Sequence, residues 1–461
     1  MDDYSEVLEL AHSPEDPMPD PVAEAARTGV QPWYGYRAYL YDFEYVSKGG
    51  NQVEPVCLVF ADLQSGEYHK VWRDELLEMK ECPFDTGINS IAVSFYYPAE
   101  GSCFEVLGWP HPVNVVDLYA EFRCITNGRK LPIRSSLLGA MVYYGIPSMA
   151  GSMKDNMREM ILGGGPWNED ERDAILRYCQ QDVKSLGQLV DAMKGDIDLK
   201  AAFYRGRYCT SVAKMEAAGI PIDMEYFERI SSDWPGLMAR LVRDLDDQYH
   251  CFDGMQFKQA NFEAWLEVRN IRWPRTPSGR LDLKDETFRE KSQRYPELEE
   301  LRELRSTLSQ TRNLSIQVGD DGRNRVMLSP FGTKTSRHNP STTKFAFGPA
   351  KWVRFLMKPN PGKAIAYLDY SQQEFLIGAA LSGDENMLEA YYAEDPYLKF
   401  GQQAGQIPDD ATKESHPSER EMFKTCSLGV LFRMTGEGMA ERLGIPKEAG
   451  RQLLSLHQSV Y

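Results

Sequence analysis

No two cysteines in this 461-residue sequence form a CxxC pair. The eight, at positions 57, 82, 103, 124, 179, 209, 251 and 426, stand singly. That pattern argues against structural zinc and for reduced thiols in a cytosolic compartment. Long apolar runs are also missing. No window approaches the roughly eighteen uninterrupted apolar residues that a membrane span needs, so none is expected. The amino terminus, MDDYSEVLEL, is acidic and has no basic stretch before an apolar core, so no secretory signal is expected. Positive charge is the third scarcity. Against 68 Asp and Glu there are 52 Lys and Arg, a net charge of −16 that taken whole argues against a polyanionic partner.

That veto weakens once the charge is located. Ten Lys or Arg lie between Arg302 and Arg354 (302, 305, 312, 323, 325, 334, 337, 344, 351 and 354), with Lys358 just beyond. Only Glu303, Asp320 and Asp321 oppose them. A basic segment inside an acidic protein reads as a track for a polyanion. The hydrophobic content, 42%, supports real cores. The length suits two or three domains, a multidomain chain of α/β and α parts.

Residues 1–32, rich in acid, Pro and Ala (HSPEDPMPDPVAEAA), read as a loosely ordered leader. Strands are then expected at Ala38–Glu44, Pro55–Ala61 and Glu67–Trp72, joined by the turn sequences KGGN and QSGE. Further strands are expected at Ile91–Tyr97 and Val113–Leu118. A helix is expected over Glu169–Met193, with apolar residues at 175, 176, 179, 183, 186, 189 and 190. Asp42 and Glu44, two apart on a strand, share one face, where like charges repel unless a cation or proton intervenes. Tyr178 and Asp182, four apart on a helix, also share a face. Glu100, opening a short helix, and Asp117, on a strand, are the further acids in reach.

Beyond residue 200 the pattern turns helical and charged. Long amphipathic helices are expected at 224–250 and 285–318, with RTPSGRLDL between them. AIAYLDYSQQEFLIGAALS (364–382) reads as a buried strand ending in Asp369, followed by a helix capped by Ser371. In REMFKTCSLGVLFR (420–433), Arg420, Lys424, Leu428 and Phe432 are four apart and line one helical face. Two cations one turn apart suit a triphosphate, and the apolar end of the face suits a base and sugar.

These residues carry a resemblance. DFE at 42–44 with YCQQD at 178–182 resembles the 3′–5′ exonuclease superfamily, which implies an RNase H-like α/β domain at 33–200. In that superfamily four carboxylates hold two divalent metals and the Tyr orients the attacking water. The resemblance thus implies Asp42, Glu44 and Asp182 as ligands of Mg²⁺ or Mn²⁺ in a two-metal site, with Tyr178 beside them. The usual third-site N-x-x-x-D pattern is absent. By order of elements Glu100 takes that place, with Asp117 as the alternative.

The rest resembles the family A (polymerase I type) DNA polymerases. Helices over 201–325 are similar to the thumb. TKTSRHNP (333–340) is similar to the family's T-x-T-G-R segment, with Ser336 where Gly is usual, which implies that Arg337 contacts the primer strand. DYSQQE (369–374) resembles motif A and the 420–433 helix resembles motif B. They place an incomplete palm and fingers at 326–461. The resemblance implies Asp369 as a metal ligand, Glu374 as a filter against the ribose 2′-hydroxyl, and Arg420, Lys424, Leu428 and Phe432 as the nucleotide site. Leu428 stands where Phe or Tyr is usual, Phe432 where Tyr is, and Arg433 where Gly is common. The wording of KFAFGPAKWVRFLMKPNPG resembles the bacteriophage branch, which implies action in the cytoplasm of an infected bacterial host.

The expected partners are a DNA primer–template and dNTPs, with no membrane. No His-Asp-Glu hairpin, the family's motif C, follows motif B here. Primer extension is therefore expected to need a second palm carboxylate, which a second chain could supply. The competing readings are a stand-alone 3′–5′ exonuclease and a non-catalytic factor that binds primer–template.

Overall fold

The computed structural model describes residues 33–461 apart from 148–150, 312–314 and 349–350; the leader expected at 1–32 lies outside the described residues. The chain divides into two compact units, split between Ala364 and Ile365.

Alternation along the first strand organises the first unit. In β1 (Arg37–Val46), Ala38 and Leu40 face one side, while Tyr39, Tyr41 and Phe43 face the other. Both sides are buried, so both need a cover. β1 pairs antiparallel with β2 (Glu54–Asp62), and β2 with β3 (Tyr68–Trp72). The KGGN turn between β1 and β2 places Gly49 and Gly50 at φ +59° and +91°, conformations that cost glycine nothing. A side chain at Gly50 would also lie 2.9 Å from the Gln317 carbonyl oxygen. After the short helix α1 (Arg73–Glu78), β4 (Ser90–Ser94) pairs parallel with β1 on its other edge. Helix α2 (Tyr97–Leu107) leads to β5 (Val115–Asp117), which is parallel to β4. The sheet order is β3-β2-β1-β4-β5. The strand expected to reach Tyr97 stops at Ser94, and Tyr97 opens α2 instead, with Pro98 in the helix's first turn.

Helices α3 (Leu118–Ile125), α4 (Leu137–Tyr143) and α5 (Gly151–Leu162) follow. Then comes α6 (Glu169–Met193), whose bounds are those its apolar spacing predicts. Asn168 and Glu171 close a capping box at its start. Ile175, Cys179, Val183 and Leu186 of α6 pack on the side of the sheet that carries Ala38 and Leu40. The opposite side is covered by α2, through Tyr97, Cys103 and Phe104, and by α7 (Leu199–Ala218), through Cys209 and Ala213.

The two long helices expected next are each broken in two. The first is α8 (Met224–Ser232) and α9 (Trp234–Asp246), separated at Asp233 with Pro235 in the first turn of α9. The second is α11 (Asp285–Arg294) and α12 (Leu298–Thr311), separated around Pro296. Proline cannot donate the helical hydrogen bond and crowds the preceding turn, so the apolar periodicity continues while the helix does not. Between them α10 (Gln259–Val268) helps to build a local core of Phe262, Trp265, Phe288 and Leu301.

The second unit is helical: α13 (Gln373–Ser382), α14 (Glu385–Tyr392), α15 (Pro396–Gln403), α16 (Pro417–Leu431), α17 (Gly436–Leu443) and α18 (Lys447–Val460). Phe375, Phe400, Phe423 and Met439 form its core. The buried strand expected at 364–369 is not there. Residues 364–370 belong to no strand, and Tyr367 and Leu368 are 83% and 90% exposed. An apolar run becomes a buried strand only where other strands satisfy its backbone, and no described strand pairs with it. Nor does Ser371 cap the helix. Gln372, in the left-handed region at φ +43°, occupies the cap position without a side-chain hydrogen bond.

All eight cysteines are free thiols. Among the described residues no helix is long and apolar enough to cross a membrane.

Candidate active sites

The ladder between β1 and β4 ends at Leu40 opposite Val93, so beyond it the β4 edge of β1 has no strand partner. Phe43 N–H instead donates to Glu100 Oε2 at 2.8 Å. Glu100 is buried, brought to the strand by the first turn of α2. On the other edge Asp42 lies opposite Val59 and Glu44 opposite Cys57, and a bulge follows between Glu44 and Tyr45. Bulges of this kind re-aim side chains and recur beside active sites.

By strand alternation Asp42 and Glu44 lie on the α6 side. There α6 presents Tyr178, Cys179 and Asp182. The Cys179 Sγ lies 3.2 Å from the Asp42 carbonyl oxygen and 3.4 Å from Asp42 Oδ2. Ligand atoms of Asp42, Glu44 and Cys179 all lie within 4.8 Å of one another. Burial pushes the Glu44 carboxyl well above its usual range, and the charge on Asp42 and then on Cys57, Asp182 and Glu100 raises it further. Glu100 is raised in the same way, first by burial and then by Asp42, partly offset by the Phe43 N–H. Burial and the nearby Asp182, Glu44 and Asp42 also raise the Tyr178 phenol, which stays protonated and able to donate. Asp42 and Asp182 thus raise the carboxyls of Glu44 and Glu100, while the ligand atoms that lie closest together are those of Asp42, Glu44 and Cys179; a divalent cation would relieve that repulsion. The carboxylate oxygens of Asp42 and Glu44 suit Mg²⁺ or Mn²⁺, whereas the Cys179 thiol beside them does not, and burial holds that thiol protonated.

Asp117 is occupied differently. Its Oδ1 accepts from Tyr96 N and Tyr119 N, both at 2.9 Å, and its Oδ2 accepts from Tyr97 N at 3.0 Å. It caps α3 and ties the end of β5 to the start of α2. Burial still lifts its carboxyl to about 6, against those hydrogen bonds. Of the two acids, Glu100 is the one aimed at β1.

Arg337 is exposed in the turn Thr333–Arg337, where Arg337 N donates to Thr333 Oγ1 at 2.9 Å. Ser336 in this turn has φ +60°, the left-handed conformation that favours glycine. Arg433 repeats the situation at φ +57°. Both are positions where the sequence departs from an expected Gly, and the backbone keeps the glycine conformation. The basic segment is not one continuous track. Arg302 pairs with Asp285 and Glu299, Arg325 pairs with Asp321, and Arg305 lies over the Phe257 and Phe288 rings.

In the second unit Asp369 lies in the exposed stretch 364–370, and Glu374 in the first turn of α13. Arg420, in the first turn of α16, donates from Nε to Asp395 Oδ2 at 2.6 Å and lies over the Tyr397 ring. Asp395 is buried and caps α15, its Oδ1 accepting from Tyr397 N and Leu398 N. The Tyr397 phenol is raised by burial and then by Asp395 and Glu374, which places Glu374 within electrostatic reach of that ring. Lys424, one turn after Arg420, lies 3.6 Å from Glu421. Leu428 packs against the unit's core. Phe432 is not on the helix as expected; it follows the last turn as its C-cap and is 56% exposed.

Cys179 and Asp395 were missed in the sequence. The signal for Asp395 was visible, an Asp directly before Pro and an apolar run, which is a helix start. For Cys179 there was none beyond its place next to Tyr178.

Residues 286–461 match the sequence profile of DNA polymerase family A. Among curated proteins, DNA polymerase I of Chloroflexus aurantiacus is 25% identical over 257 residues, covering 52% of this chain and 27% of that protein. The thermostable DNA polymerase I of Thermus caldophilus is 24% identical over 305 residues, covering 62% and 35%. The DNA polymerase of Mycobacterium phage D29 is 24% identical over 300 residues, covering 62% and 49%. The chain thus spans between about a quarter and a half of the length of these relatives. Among solved structures, the POL domain of Pol1 from M. smegmatis, in complex with DNA primer–template and dNTP, is similar with a TM-score of 0.62 at 17% identity. That similarity covers 98% of this chain and 76% of the other and speaks to the fold.

Proposed function

We propose, from the premise that this chain is a relative of the family A DNA polymerases, that it combines a 3′–5′ exonuclease part with a DNA-directed DNA polymerase part. The exonuclease part is read as an RNase H-like domain at 33–200. What supports this is the convergence of Asp42, Glu44, Glu100 and Asp182 from three elements beside a sheet of order β3-β2-β1-β4-β5. That convergence is the observation that carries the reading.

In this reading Asp42, Glu44 and Asp182 would hold the divalent ions, with Glu100 completing the set. Bound there, the ions would lower the pKa of a water and stabilise the leaving 3′-oxygen. Tyr178, kept protonated, donates a hydrogen bond that orients the attacking oxygen. Glu100 accepts from Phe43 N–H, which holds its carboxyl toward β1.

For the polymerase part, Arg337 contacts the primer strand, and Arg420 with Lys424 neutralises triphosphate charge. Glu374 and the apolar Leu428 and Phe432 bound the sugar and base, while Asp369 is the palm carboxylate. Asp395 sets the direction of the Arg420 guanidinium. Primer–template DNA and dNTPs are the substrates, and the host cytoplasm is the place of action.

The test is digestion of a single-stranded oligonucleotide labelled at its 5′ end, in Mg²⁺. Asp42→Ala should slow removal of 3′ nucleotides by more than about 100-fold. Digestion at an undiminished rate would mean that the site lies elsewhere.

A further inference from the structure

Residues 328–339 form a closed loop that carries the Arg337 turn. Asn339 N–H donates to the Leu328 carbonyl at 3.0 Å, so the two ends of the loop meet. Within it Ser329, Phe331 and Ser336 hold φ of +50°, +57° and +60°, the left-handed region that residues other than glycine rarely adopt. Three such residues in one loop persist only where the surroundings hold the backbone in place. The holding groups come from two helices. Arg123, on α3, donates from Nε to the Phe331 carbonyl at 3.0 Å and from Nη2 to the Gly332 carbonyl at 2.8 Å. Asn127, just after α3, donates to the Lys334 carbonyl at 2.9 Å. On α7, Glu216 accepts from Leu328 N at 2.6 Å, and the Tyr208 hydroxyl bonds His338 Nε2 while its ring meets Phe331 edge to face. The two helices are themselves joined, for Arg205 of α7 donates from Nε and Nη2 to the two carboxylate oxygens of Glu121 on α3, each at 2.6 Å.

We propose that α3 and α7 are the mount of the Arg337 turn, and that Arg123 is a positioning residue for primer-strand binding. This rests on the reading above in which Arg337 contacts the primer strand, and adds what fixes that contact. Arg123 carries the hold for a chemical reason. Its planar fork makes two charge-assisted hydrogen bonds to consecutive carbonyls, which set direction as well as distance. The fork is itself steadied, since Arg123 Nη1 donates to Ser135 Oγ at 3.0 Å. The two carbonyls lie directly before Thr333, where the turn to Arg337 begins, so a tilt at 331–332 displaces the guanidinium that follows. A loop fixed before DNA arrives loses little freedom on binding. A loop released from α3 visits the binding geometry only part of the time, and the apparent affinity falls by that fraction. Both helices pack on the five-stranded sheet, α3 through Phe122 on one side and α7 through Cys209 on the other. The sheet that bears Asp42 and Glu44 thereby also sets the place of Arg337.

The test titrates the full chain against a fluorescein-labelled primer–template, in EDTA so that no strand is cut. Arg123→Ala, Arg123→Lys, Arg337→Ala and the double variant Arg123→Ala, Arg337→Ala are compared with the parent. Arg123→Ala should weaken binding roughly 10-fold, as when the competent loop falls to about a tenth of the population. Arg123→Lys, with a point charge in place of the fork, should lose less than Arg123→Ala. The double variant should bind within about 2-fold of Arg337→Ala, because a residue that acts through Arg337 then has nothing left to position. Hydrogen exchange without DNA gives a second readout. In Arg123→Ala the amides of 331–338 should exchange roughly 10-fold faster, and those of β1 and β4 at the parental rate. Full-strength binding by Arg123→Ala would overturn the proposal, as would losses that multiply in the double variant or exchange that accelerates across the whole sheet. An Arg337→Ala variant that binds like the parent would bring down the primer-contact reading, and the proposal with it. That failure is told apart from an inert Arg123 because exchange at 331–338 still responds to Arg123→Ala.

Discussion

Glu100 and Asp117 are buried carboxylates beside one cluster, yet they answer to different neighbours. Glu100 accepts a single backbone hydrogen bond and otherwise faces acids. Asp117 is held by N–H groups on both oxygens. Glu100→Gln should therefore slow Mg²⁺-dependent digestion by at least about 10-fold while leaving the thermal midpoint unchanged or higher, since it removes a charge from a crowded site. Asp117→Asn should do the reverse, lowering stability by about 1–3 kcal/mol because its amide meets the Tyr97 N–H with another donor. Parallel melting curves and digestion rates separate the two roles. A second residue sets a pH dependence. Glu216 accepts from Leu328 N at 2.6 Å, and burial lifts its carboxyl to about 7. The folded chain thus holds a proton that the unfolded chain releases at the ordinary carboxyl pKa. Stability from this group is greatest below that ordinary value, falls as pH rises toward about 7, and is level above it. Glu216→Gln keeps the acceptor and loses the titration. It should be more stable than the parent at pH 8 by roughly 1–3 kcal/mol, with little difference near pH 4, as urea unfolding at the two pH values would show.

At the scale of elements, what the sequence revealed was local. β1 and α6 could be read because strand alternation, turn glycines and a 25-residue apolar stripe are written in adjacent residues. Their acids came with them, so Asp42, Glu44, Tyr178 and Asp182 were legible as two same-face pairs. Glu100 was reachable only by counting elements, because its partner is a backbone N–H 57 residues away. The run at 364–369 misled for the opposite reason. Its composition is that of a buried strand, but burial depends on neighbours that no local pattern encodes. Pro235 and Pro296 were visible and were outweighed by the apolar stripes that run through them. Asp395 shows two element-level duties in one side chain, capping α15 and holding Arg420. Asp395→Ala should cost about 1–2 kcal/mol from the cap, plus the lost pair. Asp395→Asn retains the cap acceptor and weakens the pair, so its stability loss should be the smaller of the two. Equal losses in denaturant titrations would assign the whole effect to the ion pair.

For the whole molecule, the junction of the two units coincides with the exposed stretch 364–370, where Tyr367, Leu368 and Tyr370 are each at least 80% exposed. Brief chymotrypsin treatment should cut first within this stretch, leaving a large fragment that ends near residue 368 and a small one of the remaining helices. Mass spectrometry of the first products checks it; initial cleavage inside the sheet of the first unit would contradict the division. The Arg123 bracket bears on a different property of the molecule. It grips the 331–332 segment by main-chain oxygens, which every residue possesses. The grip itself therefore does not depend on which side chains stand at 331 and 332, although Phe331 packs against Tyr208 and a Cβ at Gly332 would lie 2.6 Å from that of Asn339. Loss of Arg123 accordingly has no compensating side-chain change to find at 331 or 332, because what it holds there is main chain.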